Sequence, residues 1–162
     1  MTTNDILRRI RYVFDFNDSK MISIFSHAGL EVTREQISNW LKKDDDATYK
    51  SLTDEQLAIF LNGLIVEKRG KKDDPQPVPE KILNNNIIFR KLKIALNLQS
   101  DDVLDIMAKA DLKISKHELS AFFRKPDHKH YRPCKDQILR NFLKGVQLKL
   151  RPGASPDTGF QW

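Results

Sequence analysis

Apolar residues recur along this chain at the spacing of one helix face, broken at short intervals by residues that start and stop helices. Ile6, Ile10, Val13 and Phe14 form the first stripe, with Thr3 placed to cap it and a stop near Asn17 and Asp18. A second helix runs from about Ser19, turning Met21, Ile22, Ile24 and Phe25 inward, and ends at Gly29, a residue that enters the left-handed region without a Cβ penalty. Thr33 followed three residues later by Gln36 is a capping-box pattern, in which hydroxyl and amide each satisfy a backbone N–H at the helix start. It opens a third helix with Ile37, Trp40 and Leu41 inward. Thr53 and Gln56 repeat the device for a long fourth helix, striped by Leu57, Phe60, Leu61 and Leu64 and closed by Gly70. No alternating pattern of useful length competes with these stripes, so the predicted class is all-α.

The pattern then repeats. Residues 4–69 align without a gap on residues 86–151 at a constant offset of 82. Asn4, Ile6 and Arg8 match Asn86, Ile88 and Arg90, and Leu57, Phe60, Leu61 and Gly63 match Leu139, Phe142, Leu143 and Gly145. Leu92, Ala95 and Leu96 replace Ile10, Val13 and Phe14. Ser115 with Glu118 reproduces the capping box, Phe122 stands where Trp40 does, and Val146 completes the second copy's fourth stripe. The organisation predicted is two tandem pseudo-repeats of about four helices, residues 1–70 and 86–151, with helix-turn-helix-like hairpins. Pro75, Pro77 and Pro79 make residues 71–85 a linker that cannot be helical throughout, and residues 152–162 lack the apolar density to fold and read as a flexible tail. A unit of this size is marginal alone, so the copies are expected to pack on each other. Gly63 and Gly145 each cost about 1 kcal/mol against alanine inside a helix. Their recurrence predicts close approach of a neighbouring helix.

Charge separates the copies. Residues 1–70 carry 10 Lys and Arg against 11 Asp and Glu, and residues 71–85 carry three of each. Residues 86–162 carry 15 against 8, so the net charge of +6 comes from the second repeat. A basic surplus of this kind suits a polyanion. No apolar run approaches the roughly 20 residues that span a bilayer, and the N-terminus lacks a signal-peptide apolar region, so the expected location is cytoplasmic. The single cysteine excludes an intramolecular disulfide.

Candidate chemistry is sparse. No nucleophile elbow, phosphate-binding glycine loop, zinc-protease pattern or dinucleotide fingerprint occurs, which favours a non-enzymatic binding module that needs no cofactor. The hairpin of helices two and three has the layout that places a recognition helix in a DNA groove, with Leu30 and Val32 as the buried pair of its turn. Against that, His27 and Lys109 stand where the motif has a small residue, and any αα-hairpin in a bundle needs the same pattern. If the hairpin contacts DNA or RNA, the second copy should lead. It offers Lys116, Ser120, Arg124, Lys125, Lys129, His130 and Arg132, with His117 among them. The first copy offers Arg34, Ser38, Asn39, Lys42 and Lys43, followed by the repelling Asp44-Asp45-Asp46, most simply an exposed acidic turn. A solvated helix face is the plainer reading of such lysines. His128, His130 and Cys134 suggest a metal test, but zinc needs a fourth ligand, for which only His117 is in prospect. Cys134 also aligns with Leu52, which makes it a small buried hydrophobe.

The phrases NDILRRIRYVF, FLNGLIVEKRGK, NNNIIFRKLKIAL and RKPDHKHYRPCKDQILRNFLKG, with the duplicated layout, resemble the YehS-like family, small bacterial proteins built from two copies of a domain of unknown function. The resemblance covers about residues 3–151 and implies the duplicated architecture, with no catalytic residues to carry over. Two functions are expected from this reading: nucleic-acid binding through the basic second repeat, or a protein-interaction adaptor that presents a helical groove to a partner.

Overall fold

A computed structural model describes residues 1–72 and 75–153. Among these residues there are eight α-helices: α1 Thr3–Phe14, α2 Asp18–His27, α3 Arg34–Leu41, α4 Asp54–Arg69, α5 Asn85–Ala95, α6 Ser100–Lys109, α7 Lys116–Phe122 and α8 Asp136–Leu150. The chain is all-α, four helices to each copy. None of these helices is long and apolar enough to cross a membrane. Residues 154–162 of the expected tail lie outside the described residues.

Capping explains most boundaries. The boxes Thr33–Gln36, Thr53–Gln56 and Ser115–Glu118 all form. The first helix is capped one residue earlier than its sequence suggests: Thr2 pairs with Asp5, and the Thr3 hydroxyl donates to the Leu52 carbonyl at 2.6 Å. Asn17 likewise caps the start of α2 rather than ending α1, which stops at Asp15 in the left-handed region (φ 55). Asn97, the equivalent of Asp15, has φ 53, and Asp111 takes φ 59 where Gly29 has φ 89. Asn and Asp tolerate this region better than other residues with a side chain. The two copies therefore turn at the same points with different residues.

Each copy folds around an aromatic centre. The Phe25 ring lies 5.4 Å from Trp40 and 5.0 Å from Phe60, and the Phe89 ring lies 6.4 Å from Phe122 and 4.7 Å from Phe142. Ile22, expected inward, is only half-buried, as are Leu30 and Leu41, whereas Val32 is buried. His27 does not wedge between the hairpin helices. It sits exposed at the end of α2, 3.3 Å from Glu67 of α4. Helix α2 packs on α4 and α6 on α8, where Gly63 faces Ile24 and Gly145 faces Ile106. A Cβ on either glycine would lie 2.9 Å from the facing carbonyl carbon and nearer still to its oxygen. Here two backbones touch.

Asn4 and Asn86 tie each copy together. The Asn4 Nδ2 donates to the Trp40 carbonyl at 2.9 Å and the Lys50 carbonyl at 2.8 Å, while its Oδ1 accepts from the Leu52 N–H at 3.0 Å. Asn86 makes the same three bonds to Phe122, Arg132 and Cys134 at 3.0, 2.8 and 2.9 Å. One buried amide thus holds both ends of the loop between the third and fourth helices, satisfying backbone groups that helices cannot.

The copies join by exchange of like surfaces: α4 packs on α5, and α8 on α1. The arginine at the end of each fourth helix, Arg69 as the last residue of α4 and Arg151 just past α8, caps the first helix of the other copy, Arg69 donating to the Ile94 carbonyl at 3.3 Å and Arg151 to that of Tyr12 at 2.6 Å. Asp54 accepts from the Leu83 N–H at 2.8 Å, and at the equivalent position Asp136 accepts from the Met1 amino group at 2.8 Å. Such reciprocity is the geometry of a two-fold dimer fused into one chain. The hydrogen bonds from Met1 and Asn85 hold the Asp136 carboxyl below the usual carboxylate range. A depressed folded-state pKa adds stability above the unfolded value of about 3.9 that is lost as pH falls through the folded one. Asp136→Asn should therefore flatten the acid limb of a melting-temperature profile below about pH 4, and cost no more than about 1 kcal/mol at pH 7 because this carboxylate is half exposed and screened.

Candidate nucleic-acid interface

The residues expected to meet nucleic acid all lie between the start of α7 and the loop before α8, but they do not converge on one point. Arg124 and Lys125 do meet. With Phe123, Asp127 and His128 they line a shallow depression of about 550 Å³, Arg124 half-buried and Lys125 exposed. Lys116 turns toward Asp101, its Nζ 3.7 Å from the carboxylate. Ser120 spends its hydroxyl on the His117 carbonyl at 3.0 Å. Lys129 and His130 are exposed, and the His130 N–H donates to His128 Nδ1 at 3.0 Å. Arg132 is exposed, with one guanidinium N–H on the Tyr131 carbonyl at 3.0 Å.

The metal arrangement is not assembled. The ring of His130 lies 6.1 Å from that of His117 and 5.5 Å from that of His128, all on the surface, whereas Cys134 is buried in the core. Burial, with Asp136 nearby, pushes the Cys134 thiol up to about 12. A thiol so far from ionising is a poor ligand and a poor nucleophile. Among the described residues no group of three or more His, Cys, Asp or Glu is arranged to hold a metal ion. Cys134 takes the place of Leu52 in the Asn86 clamp, as a core residue would.

Sequence reading missed the part of the surface contributed by α5. Arg90 and Lys93 on its outer face and Arg69 at the end of α4 line a second depression of about 380 Å³, which shares Phe123 with the first. Lys93 Nζ stands 4.9 Å from the centre of the Phe123 ring, and Arg90 donates to the Phe123 carbonyl at 3.4 Å. A strip running Arg69, Lys93, Arg90, Arg124 and Lys125 results, with an aromatic ring at its middle. The one signal in the sequence was the match of Arg90 to Arg8; read alone, both look like solvated positions.

Pairing distinguishes this strip from its counterpart in the first copy. There Arg8 and Arg11, the equivalents of Arg90 and Lys93, pair with Asp5 and with Asp18 at 4.0 Å, while Lys42 and Lys43, the equivalents of Arg124 and Lys125, run into an acidic turn. Asp44, Asp45 and Asp46 follow, all exposed, Asp46 bonded to Thr48 and held low by it. Among the described residues none of the five strip cations has a carboxylate within ion-pair distance.

Residues 3–70 and 85–152 each match the family described as Protein of unknown function (DUF1456). The chain belongs to that family. It is also 44% identical over 150 residues to the Uncharacterized protein YehS of Escherichia coli (strain K12), a match covering 92% of this chain and 96% of that one. No solved structure matches the chain. The two family segments begin beside α1 and α5 and end just beyond α4 and α8, so in this chain each matched segment is one four-helix copy. The family's description assigns it no function, so the functional reading rests on the geometry of this chain.

Proposed function

We propose that the protein is a nucleic-acid-binding module that works without catalysis, holding a phosphate backbone along the strip from Arg69 to Lys125. The observation that carries this reading is the unpaired state of five neighbouring cations, Arg69 of the first copy and four of the second, when Arg8 and Arg11, the equivalents of Arg90 and Lys93, are each paired with a carboxylate. Leaving cations unpaired on a fold that can pair them keeps them available to an anionic partner, and each phosphate they neutralise releases condensed counterions. The adaptor reading needs an apolar groove. Among the described residues the large apolar side chains most exposed to solvent, Val78, Ile82, Ile94 and Leu150, are instead divided among the linker, α5 and α8.

Binding should fall steeply with salt, by a slope of about −0.9 for each phosphate contact on duplex DNA and about −0.7 on single strands. Replacing Arg124, Lys125 and Arg132 together with alanine should weaken binding by tenfold or more at about 50 mM salt, where phosphate contacts are strong. The matched set Arg34, Lys42 and Lys43 should change it little. Fluorescence anisotropy with labelled DNA and RNA measures both. Equal losses from the two sets would remove the second repeat from the interface, and absence of binding to either nucleic acid would end the proposal.

A further inference from the structure

Three of the protein's four histidines, His117, His128 and His130, gather at the edge of the strip. His128 lines the same depression as Arg124 and Lys125, and the ring of His130 lies 5.5 Å from that of His128 and 6.1 Å from that of His117. All three are exposed, and among the described residues none has a carboxylate within ion-pair distance. The equivalent positions of the first copy hold Glu35, Asp46 and Thr48. Where one copy has two carboxylates and a hydroxyl, the other has three imidazoles, the side chain that exchanges a proton between about pH 5 and 8.

The turn holding His128 and His130 depends on that proton. In both copies the loop after the third helix is folded by the same backbone bonds. The His128 N–H donates to the Lys125 carbonyl at 2.9 Å and the Tyr131 N–H to the His128 carbonyl at 3.0 Å, as Asp46 does to Lys43 at 3.0 Å and Tyr49 to Asp46 at 3.1 Å. In the first copy Asp46 Oδ1 closes the turn, accepting from the Thr48 N–H at 2.8 Å and the Thr48 hydroxyl at 2.7 Å. In the second, His128 Nδ1 takes that place and accepts from the His130 N–H at 3.0 Å. A carboxylate accepts at any pH near neutrality, but an imidazole accepts only while Nδ1 is bare, since the imidazolium carries N–H on both nitrogens. Proton uptake at His128 Nδ1 and the turn bond therefore exclude each other. Protonation sets a backbone N–H against an imidazolium N–H, and an anion between them satisfies both donors with a charge-assisted bond.

Charged groups of both signs surround the cluster. The loop contributes Arg124, Lys125, Asp127, Lys129 and Arg132. Helix α7 contributes Lys116, which reaches Asp101 of α6, and Glu118, which accepts from the Ser115 N–H in its capping box. Cations outnumber carboxylates, a surplus that favours an anion.

We propose that His117, His128 and His130 form a proton-gated phosphate site, an imidazolium and the freed His130 N–H gripping a phosphate next to the one held by Arg124 and Lys125. The inference rests on the strip reading and adds its regulation: acid tightens the hold on nucleic acid, and by reciprocity a bound phosphate draws protons onto the histidines.

The test measures binding of the full chain to oligothymidylate, whose bases and phosphodiesters keep their charge throughout, labelled with a pH-insensitive dye. Anisotropy is read at about pH 8 and about pH 5.5, on either side of the imidazole range. Affinity at fixed salt is expected to rise tenfold or more at the lower pH, with a salt slope steeper by about 0.7 for each phosphate gained on a single strand. Replacing His117, His128 and His130 together with glutamine should abolish the rise, and because all three are exposed the variant should fold. His27→Gln, at the end of α2, should leave the rise intact. His128→Asn gives the turn a permanent acceptor. By NMR of the free protein, the His130 amide shift should titrate with the His128 ring in the parent and stay flat in His128→Asn, which should lose most of the rise. Binding at about pH 8 with no gain in acid, a gain that survives in the glutamine variant, or a His130 amide shift that ignores the His128 ring overturns the site. No binding at either pH overturns site and strip together. Binding confined to the lower pH and abolished in the glutamine variant upholds the histidines and overturns the strip, so the two failures are distinct.

Discussion

Gly63→Ala and Gly145→Ala are each expected to destabilise the protein by about 3 kcal/mol or more, even though alanine gains about 1 kcal/mol of helix propensity over glycine. Overlap with the Ile24 or Ile106 carbonyl decides the sign, because a Cβ at either position falls closer than van der Waals contact to backbone atoms that cannot rotate away. The helices must separate, and the packing of Phe25 against Phe60, or of Phe89 against Phe142, separates with them. Urea denaturation reads the loss directly, and for a chain of this length about 3 kcal/mol corresponds to a fall of roughly 6–12 °C in melting temperature. Gly29→Asn is the matched control. That glycine has open space around it and a left-handed φ of 89 that Asp111 nearly reproduces in the other copy, so the change should cost less than about 1 kcal/mol. If Gly63→Ala proved as mild as the control, the direct backbone contact of α2 and α4 would be disproved.

Asn4→Ala and Asn86→Ala should cost about 3–5 kcal/mol each. Two buried backbone groups and a third that is part-buried lose their partner at once, and each buried orphan carries a desolvation penalty of about 1–3 kcal/mol, offset in part by local relaxation. In the first copy the orphans are the Trp40 and Lys50 carbonyls and the Leu52 N–H, in the second those of Phe122, Arg132 and Cys134. Asn4→Asp keeps an acceptor for Leu52 but turns oxygens toward two carbonyls, so it should be no milder. Hydrogen exchange supplies a local readout: the Leu52 amide should lose protection in Asn4→Ala by far more than the amides of α8. Asn86→Ala has a further consequence, since its loop carries Arg124 to Arg132. Loss of the clamp should loosen the proposed interface, weakening binding without touching a single cation on it.

Helix number, the duplicated plan and most helix starts were legible because they depend on neighbours in the chain. A capping box needs two residues three apart, and a buried stripe needs apolar residues three or four apart, so Thr33–Gln36, Thr53–Gln56 and Ser115–Glu118 announce themselves. The same locality explains the errors at α1 and α2. Thr2 and Thr3 are equally good caps by composition, and the choice fell to Leu52, whose carbonyl takes the Thr3 hydroxyl from 49 residues away. Gly63 and Gly145 were readable as contact points because two copies carried the same costly residue at the same place. Which backbone they touch was not.

Charge was legible as an amount and not as an arrangement. The sequence by itself determined that the second copy holds the basic surplus, since ionisation at neutral pH is a property of residue type. Tertiary structure decided which cations remain unpaired, because ion pairs such as Lys20–Glu67 join residues 47 apart. It also decided that Arg69 of the first copy shares a surface with Arg90 and Lys93 of the second, through the packing of α4 on α5. Asn4 and Asn86 show the same division. Sequence marks an amide recurring beside an apolar stripe, and only the folded chain brings the loop whose backbone it completes, because a hydrogen bond has no range along the sequence, only in space.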